Sequence, residues 1–287
     1  MLIVGGFATF PLVYRPLRQR LLQRGACRVD IAPIWTPSWL LAAIIGLGPL
    51  MRICGKAIVR ARGAADGRPI MVIGHSAGGI VARLAMSREP FEGRVASVAE
   101  AVGALVTLGT PHDLGIVDRR HHHAGHRAAR FLADTNPGAL FAPRTGYLTV
   151  GSRAIPGGPP GHPHPMRRLT GLLYGSLFRS ESGGSLGDGL VPCAGSHLEG
   201  ARQITYPDVL HGHIGSPWYG DAEVVDRWWP AAVQLWRDAL QAREDEGAAG
   251  EGAAGEAASA MSREGRAGEG ASAMSGDVAF DRSGRRP

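Results

Sequence analysis

The residues best suited to chemistry gather around Ser76, in the stretch Ile73-Gly74-His75-Ser76-Ala77-Gly78-Gly79. A serine hydroxyl is a weak nucleophile until a base takes its proton, and it reacts only where a substrate carbonyl can reach it. Small residues two places either side of Ser76 permit a cramped turn that projects its side chain. The five-residue pattern alone is common by chance. Its context singles it out: an apolar run, Ile70 to Ile73, that reads as a strand, and a helical stretch, Ile80 to Leu84, that follows. The competing reading is a glycine-rich turn in some other α/β fold.

Acyl transfer at such a serine also needs an acid, a base and donors aimed at the developing oxyanion. The chain order for a strand-turn-helix serine is serine, then acid, then histidine. Asp188, in the tight turn Gly187-Asp188-Gly189 ahead of Leu190 and Val191, is the preferred acid; Asp208 is the runner-up, close to the histidine loop. Asp188 can also be read as a turn aspartate holding its own backbone. In Asp208-Val209-Leu210-His211-Gly212-His213-Ile214-Gly215, spacing from the preceding strand favours His211, and the local string Gly-His-Ile-Gly favours His213. For the oxyanion, the candidate donors are the backbone N–H of Ala77 and that of Phe7, which follows the early glycine pair Gly5-Gly6.

These groups must be positioned by a scaffold. The first 243 residues alternate short β-type runs with helical stretches, which predicts an α/β fold: a mostly parallel sheet with helices on both faces. Expected strands are Leu2 to Val4, Val29 to Ile34, Pro69 to Ile73, Ala104 to Leu108, Tyr147 to Val150 and Arg202 to Tyr206. Expected helices are Pro11 to Arg24, Ile53 to Arg62 and Gly78 to Ser87, with another after Trp218 in which Pro230 introduces a kink or a new start. Residues 155–187, rich in Gly, Pro, Ser and His, are too irregular for a core element and long enough for a lid-like insertion. Residues 244–287 are nearly all Gly, Ala, Ser, Glu and Arg and carry a duplicated octapeptide, so they are expected to form a disordered tail.

Composition excludes several classes. The net charge of +6 comes from scattered arginines without a nucleic-acid-binding motif, so no nucleic-acid partner is expected. The 44% hydrophobic and 20% charged fractions are those of a globular protein, and the 42 glycines point to many turns. Cys27, Cys54 and Cys193 form no C-x-x-C pair, so neither a disulfide framework nor a zinc knuckle is expected. The opening Met1-Leu-Ile-Val-Gly-Gly lacks the features of a signal peptide, which points to the cytoplasm. The apolar run Trp39 to Met51 is broken by Gly46, Gly48 and Pro49 and falls short of the roughly 20 residues needed to span a bilayer. It reads as a buried helix or flap, or else as a segment in peripheral contact with lipid. His121, His122 and His123, with His126 and Asp118 nearby, read as a solvated loop rather than a metal site, because consecutive histidines point apart. His162 and His164 read the same way.

Taken in order, Gly-His-Ser-Ala-Gly-Gly, Leu108-Gly-Thr-Pro-His112, Gly-Asp-Gly-Leu-Val-Pro192, His197-Leu-Glu-Gly-Ala201 and Trp218-Tyr-Gly220 resemble the lipase and esterase-like α/β-hydrolases of bacteria and plant plastids. The resemblance covers roughly residues 1–240. It implies an α/β-hydrolase fold, a triad of Ser76, Asp188 and His211, the last through a histidine two residues after the valine that follows the final strand, and no cofactor. It departs from the family at Gly5, where many related lipases carry histidine. The function implied is hydrolysis of carboxylic esters, with an acyl or lipid substrate suggested by the apolar Trp35 to Met51 stretch. Acyl transfer to an alcohol or amine by the same triad, and a non-catalytic binding protein on this scaffold, are the alternatives.

Overall fold

The computed structural model describes residues 1–114, 123–178, 185–212 and 217–271. Six strands form one parallel sheet: β1 (Leu2–Val4), β2 (Asp30–Ile31), β3 (Ile70–His75), β4 (Val102–Leu108), β5 (Gly146–Ser152) and β8 (Arg202–Tyr206), in the order β2-β1-β3-β4-β5-β8. The strands β1, β3, β4 and β5 are buried along their whole length. Such strands read as unbroken apolar runs because helices cover both faces.

Alternate residues feed two cores. Leu2, Val4, Ile70, Val72, Val102 and Leu105 face α2 (Thr36–Ile45), α3 (Gly48–Gly63), α4 (Ala77–Met86) and α5 (Ala124–Thr135). Ile3, Met71, Ile73, Val106, Leu148 and Val150 face α1 (Arg15–Gln23) and the first turns of α7 (Ala222–Ala271). On α7 Trp228 is fully buried and Trp229 and Trp236 pack partly buried against the same core, and the helix runs through Pro230 without a new start.

Four elements differ from expectation. The second strand is only Asp30–Ile31; the Ala32 N–H still donates to the Ile3 carbonyl at 2.8 Å, and Ala32 and Ile34 are buried in the α2–α5 core. The Trp39 to Met51 run is two helices, and α2 buries only Trp39 and Ala42 while Leu40, Leu41, Ile44 and Ile45 are exposed. The 155–187 insertion is not wholly irregular: it contains an antiparallel pair, β6 (Ile155–Pro156) with β7 (Leu186–Gly187), and α6 (Pro165–Phe178), anchored by the buried Tyr174. Residues 179–184 lie outside the described residues. Finally, α7 extends to Ala271, across residues expected to be disordered; their many alanines and glutamates are strong helix formers, which offsets the glycines.

The chain separates into two units, Met1–Gln241, which contains both cores, and Ala242–Pro287, which is helical to Ala271. Residues 272–287 are outside the described residues. Among the described residues no helix is long and apolar enough to cross a membrane.

Candidate active site

At the carboxyl end of β3 the chain reverses at Ser76 and enters α4 at Ala77. Ser76 has φ 54° and ψ −134°, a left-handed conformation unusual for a non-glycine residue. Such a residue stores about 1–3 kcal/mol of strain and persists only where its surroundings over-determine it. Here its N–H donates to the Leu108 carbonyl at 2.9 Å, and its own carbonyl accepts the Thr110 hydroxyl at 2.9 Å and the Gly79 N–H at 3.1 Å. Glycine is required on both sides by close approach: a Cβ on Gly74 would sit 2.5 Å from Gly79 Cα, and one on Gly78 would run into the carbonyls of Val4 and Gly5.

His211 lies in the loop after β8, and Asp188 in the turn after β7. The His211 Nε2 is 2.9 Å from Ser76 Oγ, and its Nδ1 is 2.8 Å from Asp188 Oδ2. A carboxylate only accepts, so the proton resides on Nδ1 and the Nε2 lone pair faces the serine hydroxyl. The His211 main chain is tied to the same residue, its N–H donating to the Asp188 carbonyl at 2.9 Å.

Asp188 is 2% exposed and accepts four hydrogen bonds. Oδ1 takes the N–H groups of Leu190 (3.0 Å) and Val191 (2.8 Å), and Oδ2 takes His211 Nδ1–H and the Tyr219 hydroxyl (2.9 Å). Burial by itself would raise its pKa, but the charge and hydrogen bond of His211 and the two backbone donors outweigh it and hold the carboxyl below its ordinary value. For Tyr219, burial and then the charge of Asp188 push the phenol well above its usual range, so it stays protonated and donating.

The candidate oxyanion donors flank the serine. Ala77 is the first residue of α4, so its N–H has no acceptor within the helix. Gly6 abuts the nucleophile: a Cβ there would lie 2.7 Å from Ser76 Cβ. The hydrogen bonds of this loop use the N–H groups of Gly6 and Thr9 and leave that of Phe7 unused among the described residues. An imidazole poised on a hydroxyl, with a saturated carboxylate behind it, can move one proton off the serine as it attacks a carbonyl.

Ser76, His211 and Asp188 are therefore brought together, and Asp208 is not part of the cluster. It makes a bidentate pair with Arg227, both contacts at 3.0 Å, on the surface. His213 falls outside the described residues, as do Asp118, His121 and His122. The rings of His123 and His126 lie tilted to one another with centroids 6.0 Å apart, and no group of three His, Cys, Asp or Glu is arranged to hold a metal among the described residues. His162 is partly exposed and His164 exposed.

Several groups at the site were not assigned from sequence. Thr110 and Tyr219 fall inside the recurring strings Leu108 to His112 and Trp218 to Gly220, which was their only signal. In the first string, His112 is buried between Thr107 Oγ1 (2.9 Å from Nε2) and Arg83 (3.4 Å from Nδ1); burial and then the Arg83 charge hold its pKa well below the usual histidine value. Tyr174 of α6 accepts the N–H of Gly189 at 3.0 Å, fastening the insertion to the acid turn.

Residues 50–136 match the family model described as PGAP1-like alpha/beta domain. No curated protein matches the sequence. Among solved structures, the mature lipase BlEst2 of Bacillus licheniformis is 14% identical, superposes with a TM-score of 0.53, and the match covers 82% of this chain and 90% of that one. The propeptide form of the same lipase is 16% identical with a TM-score of 0.50, over 80% of this chain and 49% of that one. The phospholipase PlaB of Legionella pneumophila is 13% identical with a TM-score of 0.49, over 83% and 58%.

Proposed function

We propose that this chain, which has the α/β-hydrolase fold, is a serine hydrolase that cleaves carboxylic esters through an acyl-enzyme. The observation that carries the reading is the unbroken chain from Ser76 Oγ through His211 to Asp188, at 2.9 and 2.8 Å.

In the first half-reaction His211 Nε2 takes the Ser76 proton as Oγ bonds to the ester carbonyl carbon, and the oxyanion is held by the N–H groups of Phe7 and Ala77. Collapse breaks the carbon–alkoxy bond, and the alcohol leaves with the proton from His211. Water then repeats the sequence on the acyl-enzyme, releasing the acid and restoring Ser76. Asp188 stays ionised throughout and keeps the imidazole in the tautomer that accepts from serine. The steps call for no cofactor and no metal.

The acyl side of the substrate is argued from surface. Phe7, beside the proposed oxyanion donor, is half exposed and packs edge-on against Trp39 of α2 with ring centroids 6.0 Å apart. From there the exposed Leu40, Leu41, Ile44 and Ile45 continue along α2, and no residue from Ile34 to Met51 is charged. An uncharged apolar face of this kind suits an acyl chain and peripheral contact with lipid.

Replacing Ser76 with Ala should abolish both turnover of p-nitrophenyl esters and labelling by a fluorophosphonate probe. Survival of both in the purified variant would refute the reading.

A further inference from the structure

His75, immediately before the nucleophile, is 5% exposed and makes two hydrogen bonds that run away from Ser76 in opposite directions. Its Nε2 is 2.7 Å from the backbone carbonyl of His211, and its Nδ1 is 2.9 Å from the Tyr14 hydroxyl. Tyr14 OH in turn lies 2.8 Å from the Gly6 N–H. The proton order follows from what each group can do. The His211 carbonyl only accepts, so His75 carries its proton on Nε2, and the Nδ1 lone pair accepts from Tyr14. The Tyr14 oxygen then accepts from Gly6 N–H.

The two ends of this chain lie in the loop that carries Gly6 and Phe7 and in the loop that carries His211. At one end, Gly6 is fixed twice: its N–H by Tyr14, and its carbonyl by the Thr9 hydroxyl at 2.7 Å. The Gly6 carbonyl and the Phe7 N–H belong to one planar peptide, so fixing the carbonyl fixes the N–H on the opposite side. At the other end, the His211 main chain is fixed by Asp188 at its N–H and by His75 at its carbonyl. Room for the link exists because position 5 is glycine: a Cβ there would lie 2.5 Å from Tyr14 Cε2. The His75 ring packs against those of His211 and Trp218, at centroid distances of 5.0 and 5.6 Å.

We propose that Tyr14 and His75 are positioning residues that couple the oxyanion loop to the base loop through a single directed hydrogen-bond chain, Gly6 N–H to Tyr14 OH to His75 to His211 C=O. The proposal rests on the ester-hydrolase reading above. It predicts that cutting the chain anywhere spoils the same step, because oxyanion donor and base are set by one device.

The test is a double-mutant cycle on full-length protein with a short-chain p-nitrophenyl ester, each kcat divided by the number of sites titrated with a fluorophosphonate so that unfolded protein is not counted. Tyr14→Phe and His75→Phe should each lower kcat about tenfold or more with KM within about twofold, and the double variant should be no worse than the weaker single, as for groups that act as a unit. If His75→Phe yields no titratable sites, His75→Gln takes its place in the cycle; it lacks an acceptor at the Nδ1 position. Losses that multiply in the double variant, or wild-type kcat per titrated site in Tyr14→Phe, overturn the coupling. Retention of activity by Ser76→Ala would instead mark failure of the underlying site assignment, so the two failures are separable.

Discussion

At the residue scale, the Asp188 carboxylate has all its acceptor directions filled, and removal of a single donor should be measurable. Tyr219→Phe deletes one hydroxyl and leaves no orphaned donor in the protein. A hydrogen bond to a charged group contributes about 1.5–3 kcal/mol, so kcat should fall about tenfold with KM little changed, as read in steady-state assays. Ser76 and Asp188 stood out as candidates because each sits in a short glycine-flanked string that announces a turn, whereas the glycine string of the last loop pointed to His213 and only spacing from the strand and the resemblance favoured His211. Tyr14 and Thr110 did not stand out. Tyr14 meets His75 across 61 positions and Thr110 meets Ser76 across 34, and no local pattern marks a hydroxyl that acts at such separation.

At the element scale, the junction of β1 with α4 brings backbone directly against backbone. Gly78→Ala places a methyl group against the carbonyls of Val4 and Gly5, atoms that cannot yield without shifting β1. We expect a loss of about 2–4 kcal/mol, seen as a fall in Tm by differential scanning calorimetry. Helix α2 behaves in the opposite way. Leu41 and Ile44 are 54% and 82% exposed, so Leu41→Asp with Ile44→Asp should alter stability by less than about 0.5 kcal/mol per site while reducing turnover of long-chain esters more than that of short-chain ones. Equal loss on both would remove the apolar face from the substrate argument. Strands β1, β3, β4 and β5 could be located from their apolar runs, and β8 from the β-formers Ile204, Thr205 and Tyr206. The partial exposure of α2 could not, since a uniformly apolar stretch has no polar face to show which side meets solvent. The helix α6 was hidden for another reason: Gly171 and the prolines before Pro165 mask a segment whose order depends on Tyr174 reaching the acid turn.

At the scale of the whole molecule, acid should weaken the fold in two windows. His112 is held neutral in the folded state, whereas in the unfolded chain it takes a proton below its ordinary value near 6.5; stability is therefore full above about pH 6.5 and declines below it. Asp188, depressed in the folded state, adds stability above the ordinary carboxylate value of about 3.9 that is lost as pH falls through its lower folded value. Urea midpoints at pH 7, 6 and 5 should fall in the wild type and fall less in His112→Gln. Both cores lie within Met1–Gln241, and among the described residues Ala239 is the last buried one on α7. A chain ending at residue 249 should therefore keep its Tm and its ester turnover. The rims of the sheet bear on a different property. One rim, β2, is two residues long, and the other, β8, opens with the exposed Arg202 and Gln203. Neither offers a long flat template for strand addition. Concentrated protein should accordingly associate through the uncharged face of α2, reversibly and sensitive to detergent, and not as fibrils; light scattering and thioflavin fluorescence on one sample distinguish the two.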